Sequence, residues 1–394
     1  MDKTYFSEDI LNFEEFIVDA SKKLNIDEDT LKNGFKRKLI TKYEYNGRKY
    51  LCFKKKLKHI ERGTILFLND NLDFIIGYPK IRRAMVLESS VKKYFNGKIA
   101  VEEKLDGYNI RIVKMHDEII AITRGGKICP FTTKKVKKYL NTKFLDDFPE
   151  LMLCGEMVGL NNPYVNHYYP EADKNHENLG FYIFDVRNKK TNLALSTYEK
   201  EKILDEYNIP YVKPIKIIDN NEIDELWNIL DDLNENHREG VVLKDPEMIK
   251  NPIKYTTHST QCGDLSIAFS YVYDLGIDFM FSRLVREGYQ SFEKCENEEE
   301  RKKRAHELGE SILLPMVETI TEISKESVAK ECFELYFDSE EEFIEFINYL
   351  KTMHINFAVE SKGYIKKDIF KAKINRIYNS TSDKIKSHLD GNLW

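Results

Sequence analysis

The run Lys98-Ile-Ala-Val-Glu-Glu-Lys-Leu-Asp-Gly-Tyr-Asn-Ile-Arg-Ile-Val113 decides how this chain is read. Lys98 to Glu102 and Tyr108 to Val113 are short runs of strand type, and Lys104-Leu-Asp-Gly107 is the turn between them. Taken alone, the turn reads equally well as a β-turn with a solvated lysine. Working outward, further strand-type runs occur at Glu118 to Thr123, Leu151 to Cys154, Phe181 to Val186 and Gly240 to Lys244, with helices between them such as Ser196 to Tyr207. Upstream, Ile10, Leu11, Phe13, Phe16, Ile17, Leu24 and Leu31 recur at helical spacing. Downstream of residue 258 the strand signals fade. Leu265 to Arg286, Glu298 to Lys330, Glu340 to Leu350 and Lys366 to Leu389 read as helices. The expected class is α+β with a small N-terminal α+β module and a helical C-terminal region. The expected segments are 1–80, 81–258, 259–325 and 326–394.

The chain has 394 residues, of which 42% are hydrophobic and 32% charged, enough for real hydrophobic cores under an ionised surface. No stretch approaches 18 uncharged apolar residues, and the N-terminus lacks a basic segment followed by an apolar run. A cytoplasmic protein with no membrane span is expected. Cysteines 52, 129, 154, 262, 295 and 332 form no C-x-x-C pair, and the nine histidines form no H-E-x-x-H pattern. Disulfide scaffolding and a histidine-bound metal are therefore not expected.

The net charge of −5 conceals an uneven distribution. Between Phe35 and Gly63, eleven basic residues face two acidic ones. Within that stretch Tyr43, Tyr45, Tyr50 and Phe53 flank Asn46-Gly47, a dipeptide suited to a type I′ hairpin turn. A basic hairpin with aromatic side chains suits phosphate tracking and base stacking, and equally suits one buried face of a small sheet. From Val91 to Lys138 twelve basic residues face five acidic ones, while from Ile218 to Glu239 eight carboxylates face one arginine. The acidic runs read as solvated helix faces.

Other residues join Lys104. His237-Arg-Glu-Gly-Val-Val-Leu-Lys244 pairs a Glu-Gly turn with a strand ending in a lysine, and Ile253-Lys254-Tyr-Thr256 places a second cation on a strand-like run. Gly155-Glu156-Met-Val-Gly159 sets a carboxylate between glycines after a strand, and Phe184-Asp185 ends an aromatic run. Arg124 precedes Gly125-Gly126, where the backbone can approach a phosphate or ribose closely.

In order, Lys104-Leu-Asp-Gly107, Arg124-Gly125, Gly155-Glu156, Phe184-Asp185-Val186, Glu239-Gly240 to Lys244 and Lys254 resemble the nucleotidyltransferase motifs of ATP-dependent ligases and mRNA capping enzymes. The fuller run Glu103 to Arg111, the upstream Gly77-Tyr-Pro-Lys-Ile-Arg-Arg83 and the long C-terminal segment most resemble the archaeal type of ATP-dependent RNA ligase, over essentially the whole chain. The resemblance implies a central adenylyltransferase domain of antiparallel sheets with flanking helices over 81–258, a dimerisation region over 259–325, and a homodimer. It implies a Lys104-AMP intermediate, transfer of AMP to an RNA 5′-phosphate, and sealing with a 3′-hydroxyl. Catalytic roles fall to Lys104, Lys254 and Glu239. Contacts to ATP fall to Glu103, Leu105, Asn109, Arg124, Glu156, Phe184 and Lys244. Mg2+ or Mn2+ would be held through Glu239 and Glu156.

A lysine of ordinary pKa near ~10.4 is only about 0.04% neutral at pH 7, so a competent nucleophile needs its pKa depressed by about 3, worth about 4 kcal/mol. Neighbouring cations are suited to that task. One departure concerns the last motif, which in many relatives has two lysines separated by one residue. Here Pro252 stands two before Lys254, and Lys244 is the alternative source of the second charge. A DNA ligase or capping enzyme normally continues into an OB fold, whose five-strand pattern is not seen after Lys254. A catalytically silent RNA-binding relative is the remaining rival. Intact Lys104, Glu156, Glu239 and Lys254 argue against it.

Overall fold

A computed structural model describes residues 13–68, 71–172 and 177–393; Ile10, Leu11 and His176 lie outside them. The chain folds as two compact units, each assembled from segments distant in sequence. One comprises the segment ending at Lys80 with Tyr108–Met157 and Phe181–Tyr211; the other comprises Ile81–Gly107, Val158–Gly180 and the chain from Val212 onward. The contiguous stretch 81–258 expected as a single domain is thus divided between them.

Along the chain the elements begin with α1 (Phe13–Leu24), α2 (Glu28–Lys36), β1 (Ile40–Tyr45), β2 (Arg48–Phe53), β3 (Ile65–Phe67) and β4 (Phe74–Ile75). Asp27 starts α2 by accepting a hydrogen bond from the Thr30 amide at 2.8 Å, which satisfies one of the helix's free N–H groups. The hairpin forms at Asn46-Gly47 as the sequence predicts: both residues have positive φ, 49° and 72°, and Tyr45 pairs with Arg48. The four strands lie in the order β1-β2-β3-β4. Ile17, Leu24, Leu31 and Phe35 of the helices close a core with Leu51, Phe53 and Leu66. The aromatic stripe of the hairpin divides, with Tyr50 and Phe53 buried and Tyr43 half-buried.

Next come β5 (Arg82–Arg83), α3 (Leu87–Tyr94), β6 (Lys98–Glu103), β7 (Tyr108–Met115), β8 (Glu118–Thr123), α4 (Pro130–Tyr139), α5 (Lys143–Asp147), β9 (Leu151–Val158), β10 (Gly180–Asn188) and α6 (Thr197–Glu206). The strands β10-β9-β7-β8 form the first unit's second sheet. Arg111 on β7 is fully buried and donates to the carbonyls of Ile76 at 2.5 Å and Gly63 at 2.6 Å, fastening the N-terminal module to this sheet. Ser196 and Glu199 form a capping box that sets the start of α6.

The second unit continues with β11 (Pro214–Asp219), α7 (Ile223–Glu235), β12 (Gly240–Lys244), β13 (Ile253–Thr256), α8 (His258–Ser270), α9 (Ile277–Glu293) and α10 (Glu298–Ser324). Its larger sheet has the order β11-β6-β12-β13-β5, antiparallel except for the β13-β5 pair. Leu87 and Val91 of α3, with Leu226 and Leu230 of α7, pack on Ile99, Val101, Val241, Leu243 and Ile253 of the sheet. The chain ends with β14 (Lys330–Phe337), α11 (Glu340–Thr352), β15 (Phe357–Lys366), β16 (Ile369–Ile377) and α12 (Asn379–Leu389).

This last segment corrects the expectation of a helical domain over 326–394. A three-stranded antiparallel sheet, β14-β16-β15, is present, and Lys366 to Leu389 is a strand followed by a helix. The physical reason is a period of two: Phe333, Leu335 and Phe337 are buried and pair with Ile374, Ala372 and Phe370, also buried, while Lys371 and Lys373 lie between. Likewise, the helix expected over Leu265 to Arg286 is interrupted between Ser270 and Ile277, where Tyr271 and Gly276 flank a turn. Among the described residues no helix is long and apolar enough to cross a membrane.

Candidate active site

Strand alternation sorts the larger sheet of the second unit into two faces. Ile99, Val101, Val241, Leu243, Ile253 and Tyr255 point into the core. Glu102 stands opposite Val242, Lys244 opposite Ala100, Val242 opposite Lys254, and Lys254 beside Arg83. Glu102, Lys244, Lys254 and Arg83 therefore share the other face. The Lys104 amide donates to the Gly240 carbonyl at 2.8 Å, extending the ladder one step and bringing the lysine onto the same side. Gly240 has φ of 137°, and a Cβ there would collide with the Tyr255 carbonyl oxygen, so only glycine lets β12 and β13 close at this point.

The Lys104 ammonium donates to a Glu239 carboxylate oxygen, joining two residues 135 apart in sequence. Burial pushes the Glu239 carboxyl above its ordinary pKa, and Lys104 pulls it back. Asp106 is likewise raised, chiefly by burial. Lys254 is lowered to about 8, first by burial and then by the repulsion of Lys104 and Arg83. Among the described residues Lys254 has no carboxylate at ion-pairing distance.

Lys244 and Glu103 are engaged differently. Lys244 Nζ sits 2.6 Å from Glu102 Oε2, and the two side chains are 2% and 1% exposed. Glu103 accepts a forked pair of bonds from Arg238, Nε to Oε1 at 2.6 Å and Nη2 to Oε2 at 3.0 Å, and a further bond from Tyr169 at 2.8 Å. Arg238 also reaches Glu171 at 2.9 Å. Because Arg238 precedes Glu239 and Glu103 precedes Lys104, this clamp fixes Lys104 and Glu239 relative to each other. Leu105 is half-buried in the turn that follows.

In the first unit, Asn109 on β7 pairs with Glu156 on β9, so their side chains emerge on one face. The Asn109 side-chain oxygen is buried and has no hydrogen-bond donor among the described residues. Phe184 on β10 meets Tyr78 edge-on, with ring centroids 5.3 Å apart. Arg124, at the end of β8, donates to the Tyr78 carbonyl, and its amide donates to the Asn109 carbonyl at 3.2 Å. Burial lowers the Arg124 pKa. Tyr78 is itself held by Asp185 at 2.7 Å, and Asp185 pairs with Arg187 at 2.9 Å. Arg124 and Phe184 are thus joined through Tyr78, and the aspartate of Phe184-Asp185 has a supporting role.

Residues absent from the expected set therefore stand at the centre of both clusters. Tyr78 lay inside the quoted run Gly77 to Arg83, and Arg238 inside His237 to Lys244; each was visible as a neighbour of a motif residue. Tyr169 and Glu171 carried no such signal. Among the described residues no group of three or more His, Cys, Asp or Glu side chains is placed to hold a metal ion. Glu239 and Glu156 belong to different units, and each offers carboxylate oxygen, the donor type that a hard divalent cation takes alongside phosphate and water.

Two family models match the chain: RNA ligase over residues 97–256 and the ligase Pab1020 C-terminal region over residues 267–392. An uncharacterized protein of Methanocaldococcus jannaschii, MJ0414, is 52% identical over 378 residues, covering 95% of this chain and 96% of its own. An archaeal ATP-dependent RNA ligase, solved in two forms, superposes with a TM-score of 0.88 at 38% identity, covering 95% of this chain and 98% of its own. A candidate ATP-dependent DNA ligase from Aquifex aeolicus gives 0.86 at 28% identity, covering 93% and 100%. By sequence and by fold along nearly its whole length, this chain belongs to the family of archaeal ATP-dependent RNA ligases.

Proposed function

We propose that the chain is an ATP-dependent RNA ligase working through Lys104-AMP. The observation that carries this reading is the hydrogen bond from the Lys104 ammonium to Glu239 on a sheet face that also bears Lys254. Neutral Lys104 attacks the α-phosphorus of ATP, the bond to the β-phosphate oxygen breaks, and that oxygen keeps the electron pair and leaves with pyrophosphate. The surplus proton passes to Glu239, whose burial-raised pKa suits it as an acceptor. Asn109, whose side-chain oxygen accepts no hydrogen bond among the described residues, and Glu156 opposite it are assigned to the ribose hydroxyls in this reading. Phe184 supplies a stacking face, Arg124 a cation for ribose and phosphate, and Leu105 an apolar contact beside the nucleophile. AMP then passes to an RNA 5′-phosphate, and a 3′-hydroxyl expels it in joining two ends or circularising one strand.

The supporting roles divide by what the side chains already hold. Glu103 and Lys244 are engaged in ion pairs, so their part in nucleotide binding is to keep the site charged and ordered. Mg2+ or Mn2+, which the family resemblance assigns to carboxylates such as Glu156, would offset phosphate charge. The six cysteines are all free thiols, in keeping with a reducing, cytoplasmic setting. The test is incubation with α-labelled ATP or GTP and magnesium, followed by a denaturing gel. Label from ATP alone, lost in Lys104→Ala, is expected; label from GTP, or label retained in the variant, refutes the reading. Sealing of RNA in preference to the same DNA sequence then separates it from a DNA ligase.

A further inference from the structure

Cations around the Lys104 sheet face are paired with carboxylates almost one for one. Lys104 has Glu239, Lys244 has Glu102, Arg238 has Glu103 and Glu171, Arg304 has Glu287 and Glu296, and Arg283 has Asp264 at 2.6 Å. Three half-buried cations break the pattern. Arg83, Lys254 and Arg286 have no carboxylate at ion-pairing distance among the described residues, and they lie close together.

Their proximity is built by neutral side chains. Arg83 Nη1 donates to the Thr256 hydroxyl at 2.6 Å, Gln261 Nε2 donates to the same oxygen, and Arg286 Nη1 donates to Gln261 Oε1 at 3.0 Å. Thr256 ends β13, the strand that carries Lys254, and Lys254 stands beside Arg83 in the sheet. Arg286 comes from α9, outside the nucleotidyltransferase strands, and Ser282 fixes its guanidinium through bonds of 2.9 and 3.0 Å. Burial lowers the pKa of all three; Lys254 is lowered further by Lys104, Arg83 and Arg286, Arg286 by Arg83 and Arg283, and Arg83 by Arg283. Carboxylates act on them only from beyond ion-pairing distance, Glu239 on Arg83 and Lys254 and Asp264 on Arg286, and half-buried cations held together without a direct ion pair are an arrangement that an anionic ligand completes.

We propose that Arg83 and Arg286 join Lys254 as the seat of the β- and γ-phosphates of ATP and hold pyrophosphate as it departs. This rests on the ligase reading above and adds to Lys254 two arginines to which the resemblance assigned no role. The seat lies on the sheet face of Lys104, and its three cations meet the oxygens on which charge accumulates when the bond to the α-phosphorus breaks. A guanidinium from α9 thereby makes the helical region part of the first chemical step. Arg83 and Arg286 each present a planar fork suited to phosphate oxygens, which a lysine does not.

Three assays on the full chain test the seat: lysyl-AMP formation against ATP concentration, reversal of preformed lysyl-AMP by added pyrophosphate, and sealing of a 5′-adenylated oligoribonucleotide to a 3′-hydroxyl. For Arg286→Ala and Arg83→Ala, the first two should fall by about 10- to 100-fold with a raised half-saturating pyrophosphate concentration, from loss of a charge-assisted phosphate contact. Sealing of the pre-adenylated strand should stay within about twofold, since no pyrophosphate is involved, and that activity also reports an intact fold. Arg286→Lys should recover part of the loss. The proposal is overturned if all three activities fall together or if none falls. Absence of adduct in the unsubstituted protein overturns the ligase reading and the seat with it; adduct unaffected by both substitutions overturns the seat alone.

Discussion

Lys254 illustrates how a single side chain's environment sets a measurable pH dependence. Burial and the charges of Lys104 and Arg83 lower its pKa to about 8 from the ordinary 10.5. Below pH 8 it is charged in both the folded and unfolded chain, and its cost to folding is fully present. That cost is relieved as pH rises from about 8 towards 10.5, where only the folded form has lost the proton. Phosphate attraction follows the opposite course, so the ATP concentration needed for half-maximal adduct formation should rise above pH 8. Lys254→Arg keeps its charge and should abolish the rise; a rise of equal size in that variant would detach the pH dependence from this residue. The lysines were legible as members of ordered motifs. Their partners were not, because an ion pair such as Lys104 with Glu239 spans 135 residues and local sequence does not encode which carboxylate arrives.

At the scale of elements, α8, α9 and α10 are tied together by one imidazole. His258, the first residue of α8, has Nδ1 against Glu287 of α9 and Nε2 at 2.9 Å from Glu307 of α10, with Arg304 of α10 at 3.1 Å and Cys262 of its own helix at 3.5 Å. Burial alone would lower its pKa, but Cys262 and Glu287 outweigh that and lift it to about 10. A raised folded value means the stabilisation is complete below the unfolded pKa near 6.5 and is lost as pH rises through about 10. Thermal unfolding temperature should therefore decline from pH 7 to pH 10 in the unsubstituted protein, and less so in His258→Gln. Parallel declines would remove the histidine from this role. The C-terminal sheet shows why local pattern is ambiguous: Phe370-Lys-Ala-Lys-Ile374 alternates with period two, yet the charged, lysine-rich stretch leading into α12 also fits a single helical period. Phe370→Ala, in a side chain 2% exposed, should cost about 3 to 5 kcal/mol in a denaturant titration. A loss below about 1 kcal/mol would show that the sheet contributes little to the second unit.

For the whole molecule, the helices α9 and α10 leave large apolar side chains uncovered. Ile277 is 80% exposed, Phe281 64%, Phe292 75%, Leu313 55% and Leu314 51%. Scattered single apolar residues need no explanation, whereas several on two consecutive helices mark a surface suited to a partner. A second copy is the proposed partner, as the family resemblance implies, since two-fold self-association is the commonest arrangement. Sedimentation at micromolar concentration should give a species of about twice the 46.5 kDa chain mass, and Phe281→Glu with Phe292→Glu should return it to one chain. A single-chain species in the unsubstituted protein would end that proposal.

The sequence by itself determined the α+β class, most strands of the sheets, the Asn46-Gly47 hairpin and the ordered motifs, because turn chemistry, residue period and motif order are local properties. Through their resemblance to a family, Lys104, Glu239 and Lys254 are also legible there as candidates for one chemistry. Only the tertiary structure decided which charges were spoken for. It put Glu102 on Lys244, Arg238 on Glu103 and Tyr78 between Arg124 and Phe184, and among the described residues it left Arg83, Lys254 and Arg286 with no carboxylate at ion-pairing distance. The reason is that charge neutralisation is settled between strands and helices far apart in the chain, by register and packing that no local window contains.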